Sequence, residues 1–380
     1  MSTKVLQVQS GNVALAARRA GKVLRAGGLV GFPTETVYGV AAVAADEAAL
    51  ERLRELKGRP NQPFSVHMGA GADAKRYVRE IPADAARLMA KAWPGPVTLL
   101  LRAGGKLADQ GLRRDGLYER LCADDVIGLR CPDSPVAAAM LRGVDGPVVA
   151  SSANLAGLPS PRSAEDVLEH LDGKIDLLLD EGPTRYGKDS TIVDFSADPW
   201  RIARRGVYDA RMIRQMLLRR ILFVCTGNTC RSPIAAGLAR AMLAKRLGVR
   251  PQDLEERGLE IASAGMLAGE ASRPSPEAVA AARELGADIS RHRTRKLTNV
   301  MVQEADAVFG MTEFHVAEIG RLAPGAGAKV RRLDEAADIA DPMGMAEEEY
   351  RRVARRIQQA LRSALDRSPA AEIVAGGRLS

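Results

Sequence analysis

A cysteine and an arginine six residues apart carry the clearest chemistry in the chain. The segment Cys225-Thr226-Gly227-Asn228-Thr229-Cys230-Arg231-Ser232-Pro233 runs directly from the apolar stretch Ile221-Leu222-Phe223-Val224 into a helical pattern over Ile234 to Lys245. A loop wrapped at a helix N-terminus aims several backbone N–H groups at one centre, and the helix dipole adds positive charge there; together they make a phosphate cradle. Cys225 stands at its floor, where the same field favours the thiolate, the form that acts as nucleophile. Arg231 can hold two phosphate oxygens as a planar fork. Ser232 can donate to the Cys225 sulfur and ease its departure. Gly227 lets the backbone approach an anion, Asn228 can brace the loop, and Thr226, Thr229 and Cys230 complete it. Cys-x5-Arg alone arises often by chance. The strand before it, the helix after it, and the Gly and Asn within it make a merely structural pair of buried cysteines the weaker reading. The reaction also needs an acid for the leaving group. Asp341-Pro342, on a loop before the last helical pattern, supplies the candidate, although an Asp-Pro pair by itself is usually only a turn.

The first half offers a different set of groups. Phe32-Pro33-Thr34-Glu35-Thr36-Val37-Tyr38-Gly39 follows an apolar run, Lys57-Gly58-Arg59-Pro60 follows a helical one, and His67 lies on the next strand. Farther on stand Trp93-Pro94-Gly95-Pro96-Val97-Thr98, Gly128-Leu129-Arg130, Ser151-Ser152-Ala153-Asn154, Asp189-Ser190-Thr191 and Arg204-Arg205-Gly206. These are small hydroxyl, amide and cationic groups at strand ends, the positions that line ligand clefts in α/β sheets. Lys57, Arg59, Arg130 and Arg204 can neutralise a triphosphate, and Ser152, Asn154 and Ser190 can bond phosphate or ribose. There is no Gly-x4-Gly-Lys-Ser/Thr loop, so a nucleotide site would not be of the Walker type. Each residue also has a plain alternative as a turn cap or a solvated cation, and spacing alone leaves the two readings open.

These residues need elements to position them. In the first half, helical patterns over Asn12 to Ala26 and Ala48 to Leu56 alternate with strand-like runs at Gly28 to Phe32, Val97 to Arg102, Val126 to Arg130, Pro147 to Ala150 and Ile175 to Leu179. The pattern predicts an α/β domain around a largely central sheet. A short helix over Asp209 to Arg219 leads at once into the Ile221 strand, with no Gly/Ser/Pro linker. A boundary near Leu218 and a short junction follow, giving domains of 1–218 and 219–380. The second half begins strand–loop–helix, as doubly wound parallel sheets do, with further strands at Ile261 to Ala264 and Ala307 to Met311. A long helix over Met345 to Arg367 carries the core stripe Tyr350, Val353, Ala354, Ile357, Leu361, Ala364 and Leu365.

Composition narrows the classes. At 380 residues, 46% hydrophobic and 27% charged, the chain is that of a globular protein with roughly two to three domains. Four cysteines with no CxxC pair and four scattered histidines point to neither a disulfide framework nor a structural zinc site. A net charge of +8 permits contact with polyanions without requiring it. The polar, basic start (Met1 to Gly21) has no apolar signal core, and no run reaches the roughly 18 apolar residues of a membrane span. The cytoplasm is the expected location.

From Ile221 to the final helix the second half resembles the low-molecular-weight protein tyrosine phosphatase family. The likeness rests on the Cys225 loop, Ser263-Ala264-Gly265, Met311-Thr312 after Ala307-Val308-Phe309, and Asp341-Pro342. It implies a doubly wound parallel-sheet fold, Cys225 as nucleophile, Arg231 as phosphate binder, Asp341 as general acid, no cofactor, and phosphorylated proteins as substrates. Thr229 stands where many tyrosine-specific members carry an aliphatic residue, and the loop resembles the protein-arginine phosphatase branch. Met343 stands where Phe (arginine branch) or Tyr (tyrosine phosphatases) is usual, so phosphoarginine and phosphotyrosine both stay open, with phosphoarginine favoured. No cysteine follows Cys230 to form the relay of an arsenate reductase. A reversible Cys225–Cys230 disulfide would protect the nucleophile.

The first half, about Val5 to Leu218, resembles the threonylcarbamoyl-AMP synthase (YrdC-like) family. This implies a twisted mixed sheet and condensation of L-threonine, bicarbonate and ATP, with Mg2+ accompanying the ATP. The product would be passed to tRNA-modifying proteins for the threonylcarbamoyl-adenosine of tRNA. By the resemblance, Thr34, His67, Arg130 and Ser190 hold threonine, and Lys57, Arg59, Asn61, Ser152, Asn154 and Arg204 hold ATP. No protein side chain is identified as a metal ligand. Arg162, Glu181 and Phe64 depart from the family's usual Thr, Gly and Leu. The domain that follows in longer synthases is replaced here by the phosphatase. The expected whole is a bifunctional enzyme. The alternatives are a first domain that only binds RNA, and an interaction protein with one degenerate domain.

Overall fold

A computed structural model of the chain describes residues 2–58, 62–104, 116–269, 271–369 and 371. Two of the expected nucleotide-binding residues, Arg59 and Asn61, lie outside the described residues. Two compact units divide the chain at Leu217/Leu218.

The first unit is built on one mixed sheet. Its strand order, edge to edge, is Lys4–Gln7, Leu177–Asp180, Val30–Phe32, Gly39–Val43, Val148–Ser152, Ser65–His67, Val126–Arg130, Val97–Arg102, Thr191–Asp194 and Arg201–Arg204, with Cys122–Ala123 paired to Val126–Arg130 off this path. Pairing is parallel at Ser65–His67 with Val126–Arg130 and at Val97–Arg102 with Thr191–Asp194. It is antiparallel at Gly39–Val43 with Val148–Ser152. Each face carries its own apolar core. On one, Ala16, Ala17, Ala20 and Leu24 of the helix Val13–Arg25 meet Val136, Ala137 and Met140 of the helix Pro135–Arg142 over Val30, Phe32 and Ala41. On the other, Leu50 and Leu53 of Glu47–Lys57 and Leu88 of Ala83–Ala92 pack with Leu99, Leu101 and Leu129. Helices on both faces of a sheet leave only its strand ends free for a ligand.

In the second unit four parallel strands run in the order Leu259–Gly265, Arg219–Cys225, Ala307–Gly310, Val330–Arg332. The central strand is apolar on both faces, as burial under two layers demands. Ile221, Phe223 and Cys225 join the core beneath the helices Arg231–Leu247, Pro276–Glu284 and Glu347–Asp366, while Leu222 and Val224 join the core on the other face. Tyr350, Val353, Ala354, Ile357, Leu361, Ala364 and Leu365 are all buried, as their helical spacing predicts. The parallel arrangement puts the C-terminal ends of Arg219–Cys225 and Ala307–Gly310 side by side, so Cys225 and Thr226 face the segment Met311-Thr312. No helix of the described residues is long and apolar enough to cross a membrane.

Candidate active sites

In the second unit the loop after Arg219–Cys225 closes around the Cys225 thiol. The Cys225 Sγ lies 2.9 Å from Ser232 Oγ and accepts the Asn228 N–H at 3.2 Å. Asn228 is fully buried and left-handed (φ 57°), a conformation asparagine tolerates better than most side chains. Its amide donates to Ser232 Oγ (2.9 Å) and Ser263 Oγ (3.0 Å), while its Oδ1 accepts the Arg295 N–H at 3.0 Å. The loop is therefore braced from three sides before any ligand arrives.

At its mouth Arg231, 4% exposed, donates to Asp341 in a short ion pair, to the Ile339 carbonyl at 3.2 Å and to Thr226 Oγ1 at 3.4 Å. Cys225, Arg231 and Asp341 thus converge, although Asp341 stands 110 residues from Arg231 in the chain. The sequence leads one to expect a thiol pulled down by the helix field. Instead burial pushes the Cys225 thiol up, opposed by Ser232, the Arg231 charge and the Asn228 amide. Thr229 Oγ1 and Cys230 Sγ are 3.5 Å apart, and Cys230 also lies 3.6 Å from Ser275 Oγ. Met343 is exposed beside Gly227.

In the first unit a cavity of about 190 Å³ opens at the strand ends, lined by Thr34, Ser65, His67, Thr98, Arg130, Ser152, Asp189, Ser190 and Arg204 among others. Arg130 is buried and donates through Nη2 to Thr36 Oγ1 (2.6 Å), Glu35 Oε1 (3.0 Å) and Thr34 Oγ1 (3.3 Å). Glu35, equally buried, is completed by the Asp133 N–H at 2.9 Å. The Arg130 Nε is buried with no hydrogen-bond partner. Ser190 Oγ lies 3.0 Å from Thr98 Oγ1 and accepts Arg204 Nη2 at 2.9 Å. Gly206 allows this approach: a Cβ there would sit 2.3 Å from the Thr191 nitrogen.

Burial, and then the Arg130 charge, push the His67 imidazole down to about 3, so it is neutral at ordinary pH. An unfolded chain protonates this histidine near pH 6.5, and the native state does so only near 3. Its contribution to stability is therefore complete above about 6.5 and is lost as pH falls toward 3. Denaturant unfolding between pH 7 and 4 is expected to lose less stability in His67→Gln than in the parent. Equal losses would refute this.

Most residues singled out in the sequence meet. Thr34, His67, Arg130, Ser152, Ser190 and Arg204 line one cavity. Lys57 and Asn154 take a supporting place: the buried Lys57 Nζ donates to Asn154 O (2.7 Å), Asn154 Oδ1 (2.8 Å) and Ser152 O (2.9 Å). That clamps the end of Val148–Ser152 to the C-terminus of Glu47–Lys57. Glu35, Thr36 and Thr98 join these contacts with no role assigned to them from the sequence; for the first two the signal is the Thr34-Glu35-Thr36 run, a carboxylate between two hydroxyls directly after an apolar strand.

Together these features define a class: a two-unit α/β protein with a polar, cation-lined cleft in the first unit and a cysteine-floored anion loop in the second. A family model described as "Telomere recombination" (Sua5/YciO/YrdC) matches residues 22–206, and one described as "Low molecular weight phosphotyrosine protein phosphatase" matches residues 220–373. The threonylcarbamoyl-AMP synthase of Pyrococcus abyssi is 37% identical over 193 residues, half of this chain (50%) and 53% of that protein. A Mycobacterium tuberculosis relative is 34% identical over 195 residues, 51% of this chain and 85% of that protein. A solved structure of a P. abyssi Sua5 variant aligns with 94% of this chain and 97% of its own at a TM-score of 0.50 and 24% identity, a likeness of fold. The low-molecular-weight protein tyrosine phosphatase of T. tengcongensis is 35% identical, covering 39% of this chain and 99% of that one, at a TM-score of 0.35. The chain belongs to the Sua5/YciO/YrdC family through its first unit, and its second unit matches the low-molecular-weight phosphotyrosine protein phosphatase model over residues 220–373. It spans about half the length of the P. abyssi synthase.

Proposed function

We propose that the chain is a bifunctional enzyme. Residues 1–218 make threonylcarbamoyl-AMP and pyrophosphate from L-threonine, bicarbonate and ATP, and residues 219–380 dephosphorylate proteins through a phosphocysteine. The convergence of Cys225, Ser232, Arg231 and Asp341 on one loop carries the second assignment; the polar cavity around Arg130 supports the first.

In the phosphatase, Arg231 passes from Asp341 to the phosphoryl oxygens, which frees the Asp341 carboxyl. The Cys225 thiol gives its proton to the freed Asp341 carboxylate and attacks phosphorus as the thiolate, favoured against burial by Ser232, the Asn228 amide and Arg231. The sulfur–phosphorus bond forms, the bond to the leaving oxygen or nitrogen breaks, and Asp341 protonates that atom. Asp341 then takes a proton from water, which attacks phosphorus and releases Cys225 and inorganic phosphate; the Ser232 hydroxyl stabilises the departing sulfur.

In the synthase, Thr34, His67, Arg130 and Ser190 hold the threonine part. Ser152 and Arg204 face the nucleotide, Lys57 and Asn154 shape its wall, and Arg59 and Asn61 are assigned to ATP from the sequence. The threonine amine adds to bicarbonate with loss of water, a carbamate oxygen then attacks the α-phosphorus of ATP, and the bond to pyrophosphate breaks. The residues orient reactants and neutralise charge. A neutral His67, whose Nδ1–H donates to the Ser65 carbonyl at 3.1 Å, offers Nε2 as an acceptor without a second positive charge beside Arg130. Mg2+ enters on the ATP; among the described residues no group of three or more His, Cys, Asp or Glu could hold an ion by itself. The product would go to tRNA-modifying proteins, and the expected location is the cytoplasm.

Threonine-dependent pyrophosphate release by the full chain tests the synthase. A first domain that only binds RNA would release none. For the phosphatase we favour phosphoarginine, because Thr229 sets a hydroxyl on the loop beside Gly227, where it can orient water. Matched phosphoarginine and phosphotyrosine peptides should show a preference for phosphoarginine that Thr229→Ile shifts toward phosphotyrosine by about tenfold, the worth of roughly one lost hydrogen bond. A parental preference for phosphotyrosine would overturn the assignment.

A further inference from the structure

The pair Met311-Thr312 has no part in the chemistry above, yet it leads to the loop. Thr312 caps the helix Glu313–Leu322, whose first turn carries His315, only 2% exposed. The His315 Nδ1 lies 2.6 Å from Thr312 Oγ1 and its Nε2 lies 3.1 Å from Thr226 Oγ1. That same Thr226 oxygen accepts from Arg231 Nη2 at 3.4 Å. Gly310 permits the seating: a Cβ there would come within 3.0 Å of the His315 Cβ and 3.2 Å of the Val316 nitrogen. An arginine only donates, so the Thr226 hydroxyl proton is free to go to the imidazole. The consistent assignment makes Nε2 the acceptor and Nδ1–H the donor to Thr312. A neutral ring suits this chain of bonds; burial, and then the Arg231 charge, push His315 down to about 4.

We propose that His315 is a positioning residue of the phosphatase: through Thr226 it holds the Arg231 guanidinium at the cradle mouth, in the orientation from which it passes from Asp341 to the phosphoryl oxygens. The inference rests on the reading of the Cys225 loop as a phosphatase site.

The test uses the full chain, with p-nitrophenyl phosphate as substrate and calorimetric binding of inorganic phosphate. A glutamine amide reaches the position of Nε2 and an asparagine amide that of Nδ1. His315→Leu and His315→Asn should therefore raise KM and weaken phosphate binding by about tenfold, as loss of roughly one hydrogen bond implies. His315→Gln should stay within about threefold of the parent, since it keeps that bond. Equal impairment of the Gln and Asn variants, unchanged phosphate affinity in both, or a loss confined to kcat would overturn it. Should the Leu variant not fold, the Gln–Asn comparison decides. A parent inactive on p-nitrophenyl phosphate would sink the phosphatase reading, while the phosphate affinities would still report on His315.

Discussion

Cys225→Ser should lower phosphatase activity by roughly 10⁴-fold or more, as loss of a covalent nucleophile does, with threonine-dependent pyrophosphate release at the parental rate. The hydroxyl is a far weaker nucleophile at neutral pH than the thiolate. It nevertheless fits the pocket, because the Cys225 Sγ is already 2.9 Å from Ser232 Oγ and under the Asn228 amide. Phosphate affinity should survive, since the loop amides and Arg231 are untouched. Asp341→Asn separates the second step. It keeps the shape of the carboxyl but cannot protonate a leaving group, so loss should be about 10²-fold or more on a phosphotyrosine peptide. It should be smaller on p-nitrophenyl phosphate, whose leaving group needs little protonation. Steady-state kinetics on both substrates, with pyrophosphate release as the internal control, checks both expectations. Retained phosphatase activity in Cys225→Ser would reject the covalent mechanism outright.

The sequence makes these sites legible to different depths, and the reason is range. The Cys225 cradle is local: strand, loop and helix are consecutive, so the Cys225, Asn228 and Ser232 geometry follows from about ten residues. The helix itself begins at Arg231, three residues before its expected start at Ile234, because Ser232 and Pro233 suit a first turn. Asp341 was placed by its Asp-Pro context, and the fold supplies the contact with Arg231. The first unit hides more. Gly39–Val43 is a fully buried central strand made of glycine, alanine and valine, with neither alternation nor bulky β-formers to mark it. Without that strand, the Thr34-Glu35-Thr36 turn between it and Val30–Phe32 has no visible purpose. Lys57 was assigned to ATP from its charge, but charge cannot reveal that a helix C-terminus aims the ammonium at the Ser152 and Asn154 oxygens. Such contacts span 95 and 97 residues of chain and are set by sheet order, which no local pattern encodes.

The other large effect is expected at Arg130, where binding and stability cannot be separated. Its guanidinium and the Glu35 carboxylate are both almost wholly shielded from solvent, and the remaining Glu35 oxygen is committed to the Asp133 amide. Arg130→Met preserves much of the side chain's length and apolar stem but leaves the carboxylate buried with one partner. Breaking a buried pair in this way costs about 3–5 kcal/mol, so the first unit should unfold at a visibly lower denaturant concentration. Threonine-dependent pyrophosphate release should fall by about 100-fold or more, as loss of a charged ligand contact implies. Glu35→Gln keeps the Arg130 side chain and removes only its counter-charge. The amide oxygen keeps an acceptor for Arg130, but its NH2 turns a donor toward the Asp133 N–H and the Arg130 charge loses its partner, so stability should also fall, and the misaimed guanidinium should appear as a raised KM for threonine with the KM for ATP little changed. Arg130→Met,Glu35→Gln should regain stability over Arg130→Met alone without regaining activity. If instead the double variant is as unstable as Arg130→Met, the buried carboxylate is not the source of the loss. The Thr34-Glu35-Thr36 turn would then depend on Arg130 for its shape rather than for its charge.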